Sequence, residues 1–85
     1  MREKEYVIKD AQGIHARPAG QLVKLAQEYP CSITVTNKGK EVDAKRILGV
    51  MSLGAKCGES IVIKCEGENE DNAIETIGRF LEENM

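Results

Sequence analysis

An α+β two-layer sandwich, with the helices stacked on one face of a sheet, is the fold this sequence predicts. Three observations lead there. Segments alternating with period two are interleaved with segments of helical period, a turn signal at Asn37-Lys38-Gly39 separates two strand-like stretches, and 85 residues suffice for only one domain and one core. The order reads strand, helix, strand, strand, short helix, strand, helix, and the hairpin within it demands an antiparallel or mixed sheet.

Glu5 to Ile8 is β-branched and aromatic with charged flanks, and it gives way to turn chemistry at Asp10-Ala-Gln-Gly13. A helix opens near Ala16. Ala19, Leu22, Val23 and Ala26 fall on one helical face, Pro18 suits a first turn where its missing N–H costs nothing, and Pro30 stops the element. Ser32 to Thr36 alternates as a strand, and Lys40 to Ala44 is the returning arm of the hairpin.

Between Arg46 and Leu53 the apolar residues crowd together, with Ile47, Leu48, Val50, Met51 and Leu53 ending at Gly54, a residue favoured past a helix C-terminus. Two turns of helix cannot bury side chains on every side, so a contiguous exposed group here would form a partner-binding patch. Ser52 within it is expected to bond back to the helix backbone. Ser60 to Glu66 alternates again as a strand. Asn69 is then positioned to cap a last helix whose first turn, Glu70-Asp71, suits the positive dipole end and whose buried stripe is Ala73, Ile77, Phe80 and Leu81, with Ile74 beside them.

The net charge is −2, which argues against a general nucleic-acid binder. That sum hides a division: ten basic and six acidic residues through Gly58 give +4, while two basic and eight acidic residues from Glu59 onward give −6. The basic half can present an anion-friendly face, and the acidic half reads as one amphipathic helix with its approach. Cys31, Cys57 and Cys65 are odd in number and widely spaced, so they read as ordinary buried or half-buried thiols rather than a disulfide framework. With one histidine there is no zinc set, and no metal or cofactor is expected. No signal core or membrane-length apolar run is present, which makes the cytoplasm the expected location.

The single histidine, His15, lies between the turn at Gly13 and the helix opening near Ala16, and so at or beside a helix N-terminus. Free backbone N–H groups and the positive dipole end make that location suited to an anion. Arg17 adds a permanent planar cation that fits phosphate oxygens. A neutral imidazole is a good nucleophile near neutral pH, so the combination suits a histidine that accepts a phosphoryl group reversibly. A histidine that merely caps the helix would occupy the same position. No second catalytic group is evident nearby, and the remaining machinery of a transfer would come from a partner protein.

At Gly13-Ile-His15-Ala-Arg17-Pro18-Ala19 and again at Gly49-Val-Met51-Ser-Leu53-Gly54 the chain resembles the HPr family, the histidine-containing phosphocarriers of the bacterial phosphoenolpyruvate-dependent sugar phosphotransferase system, and more their Gram-positive branch. The resemblance runs from end to end, as one HPr-like domain over residues 1–85. It implies an open-faced sandwich of four antiparallel strands covered by three helices. It also implies that enzyme I phosphorylates His15 at Nδ1, that the group passes to IIA domains of sugar transporters, and that Arg17 contacts it while Ala16 and Pro18 shape the helix start. Ile47, Leu48 and Met51 match the family's apolar docking surface, and Lys24 and Arg46 belong to a basic face expected to meet an acidic partner.

Arg46 is also the one notable departure, because many Gram-positive members carry there a serine that a dedicated kinase phosphorylates. Arginine cannot take that phosphate and is a poor N-cap, so the serine switch is not expected here. A regulatory module on the same fold, binding a transcription factor or metabolic enzyme through the 47–53 helix, is the competing reading; His15 and Arg17 together argue against it. A stand-alone hydrolase or metalloenzyme fits worse, since no acid and base pair accompanies the histidine. A carrier that serves two partners in turn is expected to work without membrane insertion or a stable oligomer.

Overall fold

A computed structural model describes all 85 residues, Met1–Met85. Its elements are β1 (Arg2–Val7), α1 (Ala16–Ala26), β2 (Ser32–Asn37), β3 (Lys40–Asp43), α2 (Ile47–Ser52), β4 (Ser60–Glu66) and α3 (Glu70–Asn84). The four strands form one sheet in the order β1-β4-β2-β3, and every neighbouring pair is antiparallel. This is the open-faced arrangement expected from the sequence.

Period two sets which side of the sheet is covered. Ile33 and Val35 of β2 and Ile61, Ile63 and Cys65 of β4 are all buried, whereas Thr34, Thr36, Val62 and Lys64 between them face the open side and are half-buried. Above the covered face lie Leu22 and Val23 of α1, Val50 of α2 and Ile74, Ile77 and Leu81 of α3, joined with the sheet in one buried cluster. Each such large aliphatic side chain, fully buried, is worth about 1.5–3 kcal/mol. On the open side, Lys64 Nζ lies between Glu41 (3.7 Å) and Glu3 (3.9 Å), exposed pairs that contribute little.

Several local expectations shift. β1 begins at Arg2 and ends at Val7, because its extent is set by the ladder to β4, from Arg2 opposite Cys65 to Val7 opposite Ser60. Ala44 lies beyond β3, although it is buried and donates its N–H to the Ile33 carbonyl at 2.9 Å. Asn69 occupies the N-cap position of α3 but in the left-handed region (φ 63°), and its side chain makes no capping bond. The neighbouring Glu70 accepts the Gly67 N–H at 3.1 Å, which ties the turn before the helix. Phe80 is only half-buried, at the margin of the stripe formed by Ala73, Ile74, Ile77 and Leu81. Of the cysteines, Cys31 and Cys65 are buried and Cys57, in the turn before β4, is exposed. Burial pushes the Cys65 thiol up to about 11.

Candidate functional site

The loop from Ile8 to His15 is held by backbone bonds to two other segments. Ile8 exchanges bonds with the loop before β4, its N–H donating to Glu59 O (2.9 Å) and its carbonyl accepting the Gly58 N–H (2.8 Å). The Lys9 and Asp10 N–H groups both donate to the backbone oxygen of Met85, at 2.5 and 3.0 Å. Gly13 makes the close approach on which the rest depends. Its φ is +69°, and a Cβ there would collide with the Ala55 carbonyl oxygen, the same oxygen that accepts the Ile14 N–H at 3.0 Å.

With Ile14 fixed, His15 becomes the N-cap residue of α1 in extended backbone (φ −118°, ψ 173°), and its carbonyl accepts the Ala19 N–H at 3.0 Å. The imidazole makes no capping hydrogen bond. A capping role is therefore not what holds the ring. Its Nε2 faces Asp10 Oδ2 at 3.3 Å, and its side chain is 37% exposed. Ala16 and Arg17 bring their N–H groups to the first turn ahead of any intrahelical acceptor, and buried Pro18 has no N–H to leave unpaired. Arg17 is exposed and takes part in none of the protein's ion pairs, so its guanidinium is free to meet an anion.

Asp10 is the member of this site that the sequence did not single out. Its Oδ1 accepts the Gln12 N–H at 2.9 Å, closing a local turn that carries Oδ2 back toward the ring. That backbone hydrogen bond, joined by the His15 ring, holds the Asp10 carboxyl below the usual carboxylate range. Five residues of separation carried no periodic signal; the only hint was an Asp opening the turn that delivers His15.

The second surface is α2. Leu48 is 83% exposed, Ile47 40% and Met51 38%, while Val50 alone of the helix is buried. The expectation that so short and apolar a helix cannot hide its side chains is met, and Ser52 Oγ donates to the Gly49 carbonyl at 2.6 Å, as expected of a hydroxyl turned on its own helix. Arg46 is the N-cap residue and gives no side-chain cap; its Nε lies 3.7 Å from Asp43 Oδ2 and the side chain is 80% exposed. Lys45 is less free, with its ammonium donating to the Tyr29 carbonyl at 2.7 Å.

A shallow groove joins the start of α2 to the second half of α1, lined by Val23 and Gln27 on one side and Arg46, Ile47 and Leu48 on the other. The far end of α2 leads through Leu53 and Gly54 to Ala55, the residue that receives Ile14. The two helices thus run in opposite senses, and Met51 lies toward the His15 end of α1. Lys24 is exposed on α1 but does not line the groove.

Residues 2–83 match the family model described as the PTS HPr component phosphorylation site. The chain is 41% identical over 83 residues to a phosphocarrier protein HPr of Lysinibacillus sphaericus, covering 98% of this chain and 94% of that one. Its structure is similar to that of a Mycoplasma histidine-containing phosphocarrier protein (TM-score 0.94, 33% identity, 96% and 93% covered). It is also similar to an HPr of Thermoanaerobacter tengcongensis (TM-score 0.91, 38% identity, 96% and 92% covered). An HPr from that organism was solved as a dimer as well (TM-score 0.78, 37% identity, 98% and 95% covered).

Proposed function

The chain belongs to the HPr family, the phosphocarriers of the phosphoenolpyruvate-dependent sugar phosphotransferase system, and from that premise we propose that His15 Nδ1 is its phosphoryl acceptor and donor. The family implies exchange with enzyme I and with IIA components. In the receiving step the Nδ1 lone pair attacks phosphorus of the phosphorylated donor; the new N–P bond forms as the donor's bond breaks, and that bond's electrons return to the donor. The free first-turn amides of Ala16 and Arg17 and the exposed Arg17 guanidinium supply the positive charge that the transferred oxygens need. Delivery to a IIA domain is the same step reversed on a new acceptor.

Ile47, Leu48 and Met51 dock both partners in turn, with Lys24 and Arg46 as basic contributors at the margin. A small apolar patch gives weak binding and fast release, which a carrier needs. Because both partners use one face, the carrier works as a monomer during transfer. A cytoplasmic place of action fits an exchange between enzyme I and transporter IIA domains, and no helix is long and apolar enough to cross a membrane.

The observation that carries this reading is an uncapped, part-exposed His15 ring at the N-terminus of α1 beside a free Arg17. Incubation with phosphoenolpyruvate and enzyme I is expected to give an acid-labile, base-stable phosphorus NMR signal that His15→Ala abolishes. No signal, or an equal one in His15→Ala, would sink the assignment.

A further inference from the structure

We propose that Asp10 is a positioning residue for His15, holding the neutral ring in its Nε2–H form so that Nδ1 presents its lone pair to the incoming phosphoryl group. The inference rests on Nδ1 being the reacting atom, as argued above, and adds a residue to that site.

Asp10 is fixed at every polar group it has. Its N–H donates to Met85 O at 3.0 Å, its carbonyl accepts the Gly13 N–H at 2.9 Å, and Oδ1 accepts the Gln12 N–H at 2.9 Å. Only Oδ2 remains, and it lies 3.3 Å from Nε2. A carboxylate is an acceptor with no proton to give, so the partner nitrogen must be the donor. With the proton on Nε2, the neutral ring has its lone pair on Nδ1. Depression of the Asp10 carboxyl keeps this arrangement in force throughout the neutral range. The contact is long for N–H···O, as orienting hydrogen bonds often are before the partner docks. Both side chains are about one-third exposed, so the contact forms at the protein surface, within reach of a donor protein.

The geometry separates two functions of one loop. Gly13 and Ile14 decide where the ring is; Asp10 decides which nitrogen faces the phosphorus. Such tautomer control through the second ring nitrogen is a general device wherever a histidine must react or ligate through one nitrogen. Here it would also stop the ring from turning over and presenting Nε2.

Nitrogen-15 NMR of the imidazole, recorded at about pH 9 where an ordinary imidazole is neutral, reads the tautomer directly. The native protein is expected to show Nε2–H almost alone. Asp10→Ala should raise the Nδ1–H fraction several-fold and lower kcat for acceptance from enzyme I by roughly fivefold, the scale of one modest hydrogen bond, with KM unchanged because the α2 face is intact. Asp10→Asn keeps an acceptor for the Gln12 N–H but sets an NH2 donor against Nε2, so it should push the ring further toward Nδ1–H and lower kcat at least as much as Asp10→Ala. An unchanged tautomer ratio in Asp10→Ala would overturn the proposal, and so would an Asp10→Asn protein that keeps Nε2–H and the native kcat. Failure of the native protein to take up phosphate would overturn the carrier reading instead, while the tautomer measurement would still decide the role of Asp10.

Discussion

The Lys38 ammonium stands 2.6 Å from Oε2 of Glu59, tying the tip of the β2–β3 hairpin to the loop against which the His15 segment rests. Glu59 Oε1 meanwhile accepts the Lys56 N–H at 2.9 Å, so one carboxylate braces the turn that carries Ala55 and Gly58. Lys38 first, and the Lys56 amide second, lower the Glu59 carboxyl to about 2. The folded value lies below the unfolded one, so this stabilisation is complete above the ordinary carboxylate range and is lost as pH falls toward about 2. Glu59→Gln is expected to be less stable than the native chain at neutral pH and to show a flatter fall of stability in acid. Urea midpoints at about pH 7 and about pH 3 measure both. A parallel fall in the two proteins would show that Glu59 is not the responsible group.

Tyr6 and Gly78 fit together across β1 and α3. A Cβ on Gly78 would run into the Tyr6 hydroxyl, which is itself buried without a partner and whose proton is held more tightly by burial. Gly20 in α1, by contrast, has open space where its Cβ would be. Alanine is favoured over glycine within a helix by about 1 kcal/mol. Gly20→Ala should therefore stabilise by about 0.5–1 kcal/mol, while Gly78→Ala should destabilise by about 1–3 kcal/mol as overpacking exceeds the helix gain. Movement of both urea midpoints in one direction would refute the packing account.

What the sequence made legible was the part of the fold that depends on period. The inward stripe of β4, the face of α1 and the excess apolar surface of α2 each follow from residues two or three to four apart, and each is where it was expected. What depended on pairing was not legible: Arg2 to Lys4 look like a charged leader, and only the ladder to β4 makes them strand. Asn69 has the chemistry of a cap, but in the left-handed turn before α3 its side chain makes no capping bond. His15 and Arg17 stood out because a rare residue and a cation adjoin a helix start. Asp10 did not, since its meeting with Nε2 is produced by the Gln12 turn and the Met85 anchor, one of them 75 residues away in the chain.

Leu48 and Val50 are two residues apart on α2 and face opposite ways, 83% and 0% exposed. Truncation should separate docking from stability. Leu48→Ala is expected to leave the urea midpoint within about 0.5 kcal/mol of the native value and to raise KM for enzyme I several-fold with kcat unchanged, the signature of lost binding. Val50→Ala should cost about 1–3 kcal/mol and leave KM nearly alone while the protein remains folded. A KM for Leu48→Ala equal to that of the native protein would remove the apolar patch from the docking face.

Arg46 is expected to set stability against transfer. As the N-cap of α2 it offers no acceptor to the first-turn amides and places a cation at the positive end of the helix, so Arg46→Ser should stabilise the fold by about 0.5–1 kcal/mol. The same side chain is 80% exposed, and its nearest anion, Asp43, is 3.7 Å away, too far and too wet to neutralise it. An acidic partner approaching the groove beside Ile47 and Leu48 would therefore meet its charge. At low salt, transfer by Arg46→Ser is expected to be about two- to fivefold slower in kcat/KM, and the two proteins should converge as salt screens the attraction over about 10 Å or less. Rates at several ionic strengths, beside a urea curve for each protein, test both halves. An unchanged rate and salt slope would make Arg46 a tolerated substitution, whereas a more stable but slower carrier would show that the missing cap is the cost of a docking charge.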